Sequence, residues 1–317
     1  MSSETSESGT ADTPAADAAV RAGVLAGLIA YTLWGVFPVY FKLVGSVAPL
    51  EVLAHRIVWS VVFGALIIAA RRQWREVRSA LTHRAMLGWL ATSAAFISVN
   101  WLIYIWAIQQ ELIFETSLGY YINPLMYVCV GVLFFGDRLR RLQLGAVALA
   151  AIGVLVLATQ GDRIPYVALA LGASFTMYGV IRKKVVIGAM PGLFVETLLL
   201  GPFALIWLGA TIAAGDAAFA AGDTTLSVLL LLAGPFTVIP LMCFAIAARR
   251  LTLTTVGFMQ FLAPTLQFLT GLYYGERLTT AHIVCFVFIW TAVTLFSIDA
   301  VRAGRRKKPR QAVPAGA

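Results

Sequence analysis

From Ala22 to Ala300 the chain is written as apolar runs separated by short polar punctuation. The runs recur at the length a helix needs to cross a hydrocarbon core, about 20 residues. Reading them between clusters of charge predicts ten spans, near 22–42, 52–70, 85–108, 112–135, 142–160, 164–181, 191–213, 226–248, 253–274 and 280–300. Short segments of alternating polarity, the mark of a membrane β-barrel, are absent. Several loops are only a few residues long, so neighbouring spans run antiparallel. The predicted fold is an all-α integral membrane bundle whose first partner is the lipid bilayer.

Composition agrees. The 317 residues are 60% hydrophobic and 12% charged, too little charge to clothe a soluble domain of this length. Lysine and arginine set the expected orientation. With the N-terminus cytoplasmic, the inner side holds Arg21, the Arg71–Arg84 cluster, Arg138, Arg140, Arg141, Arg182–Lys184, Arg249 and Arg250. The outer side keeps Lys42, Arg163 and Arg277, a bias that places both termini in the cytoplasm. The acidic stretch 1–20 reads as a disordered tail rather than a signal peptide, which would begin with basic residues. The basic tail 301–317 reads as a topology and headgroup signal, not a nucleic-acid site. Cys129, Cys243 and Cys285, and His55, His83 and His282, are dispersed singly, so neither a metal site nor a cofactor is expected.

The sequence contains itself twice. "GYYINPLMYVCVGVLFFGDRLRR" (Gly119–Arg141) is echoed by "FMQFLAPTLQFLTGLYYGERLTT" (Phe258–Thr280). An offset of 140 aligns Phe96 with Phe236, Asn100 with Pro240, Tyr120 with Gln260, Pro124 with Pro264 and Gly131 with Gly271. Two halves follow, 21–160 and 161–300, with five spans each. An odd number of spans inserts the second half from the opposite side. The charges fit, since "GDRLRR" carries two arginines that "GERLTT" replaces with threonines. Inverted repeats of this kind are a transporter architecture.

At these motifs the chain resembles the RarD branch of the EamA-type permeases, in the drug/metabolite transporter superfamily. The resemblance rests on "HRIVWS" (His55–Ser60), "NWLIYIWA" (Asn100–Ala107), "SLGYYINPL" (Ser117–Leu125), "GDRLRRLQ", "YGVIRKK" (Tyr178–Lys184), "GLFVETLLLGP" (Gly192–Pro202) and "GFMQFLAPTLQF" (Gly257–Phe268). It covers nearly everything between Arg21 and Ala300. It implies ten helices, two EamA repeats, a bacterial inner-membrane location and export of small metabolites or drugs. Members are commonly labelled chloramphenicol-sensitivity proteins, which is a weak guide to substrate.

In lipid, polar or small residues on one helical stripe mark packing seams or functional surfaces. Thr116, Tyr120, Asn123 and Tyr127 share one face of the fourth span, and Gln260, Pro264, Gln267, Gly271 and Tyr274 share one face of the ninth. The third span adds Ser93, Asn100 and Tyr104, with Trp101 and Trp106 nearby; the first offers Tyr31 and Trp34, and the sixth Tyr178. Prolines 124, 240 and 264 are expected to break the helices that carry these stripes and to free carbonyls toward a cavity. The expected cavity holds a small amphipathic solute: an amino acid, an analogue or a planar drug. The competing use of the same residues is to tie helices together.

Buried charge is the sharper signal, because a charge at mid-membrane costs about 2.5–3.5 kcal/mol on insertion scales. The candidates are His55 and Arg56 in the second span, Glu115 in the fourth and Glu196 in the seventh. Depth argues against a direct Arg56–Glu196 pair, since one lies a turn from the outer face and the other a turn from the inner. The expectation is two half-gates: Arg56 with Glu115 outside, and Glu196 inside with Arg249, Arg250 or the Arg182–Lys184 cluster. Glu196, shielded in "FVETLLL", is also the expected proton carrier. The small residues Gly145, Ala146, Ala150 and Gly153 suit either packing or a homodimer face. The leading function is therefore secondary transport of a small molecule. No nucleotide-binding loop and no hydrolase motif occurs, which argues against an ATP-driven pump or an enzyme. A structural or sensory membrane protein is the alternative, although it has no need of an inverted duplication.

Overall fold

The computed structural model describes residues 14–135, 140–160, 164–251 and 253–307. Every regular element among them is an α-helix. The first half comprises α1 (Pro14–Gly35), α2 (Phe37–Leu43), α3 (Pro49–Ala70), α4 (Trp74–Thr82), α5 (Arg84–Gln109), α6 (Ile113–Phe135) and α7 (Arg141–Gln160). The second comprises α8 (Tyr166–Lys183), α9 (Ala189–Ala214), α10 (Thr224–Arg250), α11 (Leu253–Gln260), α12 (Leu262–Tyr273) and α13 (Thr280–Lys307). The turn "GDRL", which anchors the repeat in sequence, lies outside the described residues.

Eight of these helices are long and apolar enough to cross a membrane: α1, α3, α5, α6, α7, α9, α10 and α13. The α8 helix is shorter and ends on Arg182 and Lys183, and α11–α12 is one apolar run divided at Phe261. The first helix begins at Pro14, inside the stretch expected to be tail. Its sequence explains this: Pro is tolerated in a first turn, and the following "AADAA" is a strong helix former.

Local chemistry sets several boundaries. Asp223 caps α10 by accepting the Leu226 amide at 2.9 Å, and His83 Nδ1 accepts the Met86 amide at the start of α5. Gly215, at φ 78°, ends α9 in the left-handed conformation that a side chain would disfavour. The short α4 is the one strongly amphipathic helix, with Val77 and Ala80 buried and Arg75 and Arg78 exposed. Its Trp74 meets the ring of Phe194 edge-on at 5.7 Å.

The packing repeats when the two halves are exchanged. α1 lies on α10 as α5 lies on α8, and α1 on α12 as α8 on α6. The pairs α3–α9, α6–α12 and α7–α13 map onto themselves. Ala146, Ala150 and Gly153 are buried in the α7–α13 seam, where Gly153 faces Phe288 and Cys285. Close approach of small residues is what holds helices together where lipid is as apolar as the side chains.

Candidate functional site

Two buried charges organise the interior. Arg56, on α3, is 5% exposed and lies toward the end of the bundle where α2 turns into α3, here the far end. Its Nε donates to Thr237 Oγ1 on α10 at 2.8 Å, and its guanidinium lies 4.1 Å from the ring centroid of Trp101 on α5. Phe37 and Phe41 of α2 close it in at 5.6 and 5.8 Å. Among the described residues no carboxylate lies within ion-pair distance of it. The expected Arg56–Glu115 pair is not made in this structure. Glu115 Oε2 instead accepts the Val167 amide at 3.1 Å, at the start of α8.

Glu196, on α9, is fully buried toward the opposite, near end. Ser93 Oγ on α5 donates to it at 2.5 Å, Tyr178 Oη on α8 lies 3.4 Å away, and Arg182 Nη1 stands at 3.6 Å. Of the cationic residues expected near Glu196, Arg182 is the one brought to it. The placement has a consistent logic. Arg56 and Glu196 are 140 residues apart, at matching positions of the two halves. Each sits on the second long helix of its own half and is held by a hydroxyl on the third long helix of the other. The charges are opposite and lie toward opposite ends.

Between them runs a wall of rings and amides. Asn100 Nδ2 donates to Leu171 O and to Ser174 Oγ, both at 3.0 Å, while its Oδ1 accepts Tyr120 Oη at 3.2 Å. Tyr120 also packs on Tyr104 at 5.7 Å and edge-on to Phe175 at 5.8 Å, and Phe175 leads to Tyr178 at 5.9 Å. Tyr127 Oη reaches Phe175 O at 3.4 Å, and Asn123 Oδ1 accepts Thr176 Oγ1 at 3.4 Å. Nearer α1, Gln267 Nε2 donates to Trp34 O at 3.1 Å. Tyr31 and Trp34 form a ring cluster with Phe244. Gln260 ends α11 at the helix interruption and is half-buried. Asn123 Nδ2 and Gln267 Oε1, on the same stripes, are buried and make no hydrogen bond among the described residues. Among the described residues no group of three His, Cys, Asp or Glu side chains could hold a metal.

The prolines behave unequally. Pro264 lies just beyond a true interruption, between α11 and α12, and its carbonyl accepts Ser117 Oγ at 2.7 Å. Pro124 and Pro240 do not break their helices; α6 and α10 run on through them. A neighbouring helix that keeps the segment packed preserves the ladder on either side of a missing donor.

Carboxylates stitch the far end together by accepting backbone amides of other segments. Glu51 Oε1 takes the Ala218 amide at 2.8 Å, which seats Phe219 against His55 at 5.0 Å and Trp59 at 6.1 Å. Glu276, of the "GERL" turn, takes the Phe114 amide at the start of α6 at 3.1 Å. Burial raises the Glu276 carboxyl from 4.5 to about 7, aided by nearby Glu115 and opposed by the amides of Phe114 and Ile113 and by Lys42. Lys42 itself pairs with Glu111 at 3.5 Å.

The recesses lie elsewhere. One of about 700 Å³ is a lateral groove between α6, α11–α12 and α13, lined by Tyr121, Thr265, Trp290 and Ser297 among others. A second, of about 210 Å³, opens at the near end by Arg71, Gln73, Met190 and Arg249. Sequence reasoning missed Thr237, Glu51 and Phe219. A threonine in an apolar helix usually bonds its own backbone, as Thr237 also does to Ala233 O at 2.8 Å, so its pattern gave no signal. Glu51 stands in the first turn of α3, where acids are ordinary.

Comparison with known proteins gives the family. Residues 21–159 match the model of the EamA-like transporter family. An uncharacterized transporter of Vibrio cholerae is 46% identical over 90% of this chain and 94% of its own. Protein RarD of Escherichia coli is 42% identical over 90% and 97%. The chloramphenicol-sensitive protein RarD of Pseudomonas aeruginosa is 32% identical over 91% and 97%. A crystal structure at 18% identity superposes with a TM-score of 0.58 over 88% of this chain and 99% of that one, so the fold is shared. With such identities along nearly its whole length, the chain belongs to the RarD-type permeases of the EamA family, within the drug/metabolite transporter superfamily.

Proposed function

We propose that this protein is a secondary transporter that moves small organic solutes across the bacterial inner membrane by exposing one central site to each side in turn. The chain then crosses ten times as two inverted five-span halves, with both termini in the cytoplasm. The near end is then the cytoplasmic one, a reading the lysine and arginine bias supports.

The observation that carries the reading is the reciprocal placement of Arg56 and Glu196. Each is tied by a hydroxyl to the opposite half, one toward each end. Opening one end breaks one tie and keeps the other, so two states of similar energy are available to one fold. Glu196 is placed to carry a proton, since it has a hydroxyl donor, a phenol and a guanidinium at hand. The solutes are amino-acid-like molecules or compounds of the chloramphenicol type named for the Pseudomonas relative. Lys42–Glu111 and the amides held by Glu51, Glu115 and Glu276 form the closed outer side in this reading.

The test is uptake into everted membrane vesicles of a panel of amino acids and of chloramphenicol, with and without a proton gradient. Accumulation that collapses with an uncoupler is expected, and in Glu196→Gln the gradient should no longer drive it. A flat response across the panel in both conditions would favour a sensory or structural membrane protein.

A further inference from the structure

Arg56 presents a difficulty that the rest of the interior does not. Its charge is buried in a ring of aromatic side chains, and among the described residues no acid answers it. Burying a guanidinium without a counter-charge is costly in so apolar a place, and the cost falls when an anion arrives. The geometry prepares for that arrival. Nε is committed to Thr237, and one face of the group is laid on Trp101 at 4.1 Å, which fixes the plane. The terminal nitrogens keep the paired donors that match the two oxygens of a carboxylate. Tyr104, 3% exposed, belongs to the same ring cluster, 5.8 Å from Phe41 and 5.7 Å from Tyr120.

We infer that Arg56 is the anion anchor of the transported solute, and that the solute is a monocarboxylate with an apolar body, its carboxylate on the guanidinium fork and its body among the rings of α2 and α5. The inference deepens the transporter reading and rests on it. It also narrows that reading: with no acidic side chain beside Arg56, the site discriminates on the carboxylate, not on an amino group. The rings explain the preference for an apolar body, since Phe37 and Phe41 offer surface without donors and Trp101 adds one indole N–H, too few to satisfy phosphate or sulfate.

The experiment uses the full chain in lipid nanodiscs and reads the difference in tryptophan fluorescence between wild type and Trp101→Phe, which isolates Trp101 from the other seven tryptophans. The probes are acetate, 3-phenylpropanoate and indole-3-propanoate, each titrated against its neutral amide, with inorganic phosphate as a further arm. The phenyl probe is read directly by the shift in Trp101 emission as it displaces water, and the indole probe, which itself fluoresces, is read by competition with it. Wild type should bind 3-phenylpropanoate at least tenfold tighter than 3-phenylpropanamide, with acetate and phosphate weaker than either acid carrying a ring. Arg56→Gln should abolish the preference for acid over amide. Arg56→Lys, which keeps the charge and the fold but loses the fork, should leave about threefold. Equal binding of acid and amide across the series, or an acid preference that survives Arg56→Gln, would overturn the assignment, as would phosphate binding as tightly as the ring acids. The result is separable from transport: a flat vesicle panel sinks the transporter reading, whereas an Arg56-dependent acid preference in the same protein leaves the anion site standing.

Discussion

The contact between α3 and α10 near Arg56 permits a quantitative prediction from one methyl group. Gly234, on α10, faces the backbone of α3. A Cβ placed on it would lie 2.6 Å from both the carbonyl carbon and the carbonyl oxygen of Trp59. Backbone atoms cannot rotate away, and ordinary contact begins near 3.4 Å, so Gly234→Ala must move the helices apart by about 0.8 Å. Three residues along each helix lies the Arg56–Thr237 hydrogen bond, 2.8 Å in the native packing. Displaced by the same amount it becomes roughly 3.6 Å, which is no longer a hydrogen bond. Overpacking of this kind costs about 1–3 kcal/mol, and losing a bond to a buried charge adds to it. A total near 3 kcal/mol is expected, read as a fall in melting temperature of roughly 6–10 °C. The assay is thermal unfolding of the purified protein in nanodiscs, followed by Arg56-dependent acid binding on the same sample. Gly201→Ala is the control, because a Cβ there meets only Val61, at 4.0 Å. It should stay within about 1 kcal/mol of wild type. If Gly234→Ala melts with Gly201→Ala and binds acid normally, the close approach of α3 and α10 is not what holds Arg56.

Other perturbations test the remaining ties. Arg182→Gln leaves the Glu196 charge buried and should destabilise by about 3 kcal/mol, the lower end for a buried pair because Arg182 is partly exposed; adding Glu196→Gln should restore most of the loss, and a double variant as unstable as the single refutes the coupling. Gly192→Val should act like Arg182→Gln, because a side chain at Gly192 occupies the space of the Arg182 guanidinium; native melting behaviour would show that Arg182 has another place to lie. Glu276 titrates at about 7 in the fold against an ordinary 4.5, so its protonated form is the one the fold prefers. The stability this confers is complete below about 4.5 and is lost as pH rises through about 7. Wild type should therefore lose more melting temperature between pH 5 and pH 8 than Glu276→Gln, with Glu115, Lys42 and His282 present in both; parallel curves would assign the pH response elsewhere.

Much of the architecture is written in one dimension. Apolar runs of membrane-crossing length, short polar turns and the lysine and arginine bias determine a polytopic helical protein, because a bilayer offers backbone groups no other partner. The likeness of "INPL" and "LAPT" with their closing acids is visible in the sequence itself. So was the rarity of Arg56 and Glu196, since a charge in an apolar run stands out at any depth. Their partners were not legible. Arg56 goes to Thr237 and Glu196 to Ser93, 181 and 103 residues away, through hydroxyls that a helix ordinarily satisfies within itself. Nor did the sequence say which proline would part its helix, because Pro124, Pro240 and Pro264 present the same missing donor, and only the packing around each decides whether the ladder resumes. The sequence by itself marked Arg56, Glu115 and Glu196 as charges set inside apolar runs, but not Glu51, which only the packing shows to be buried. Tertiary structure alone decided that each is held across the two halves and that Arg56 is left without an acid, because both facts depend on which helix faces which, a property no single segment encodes.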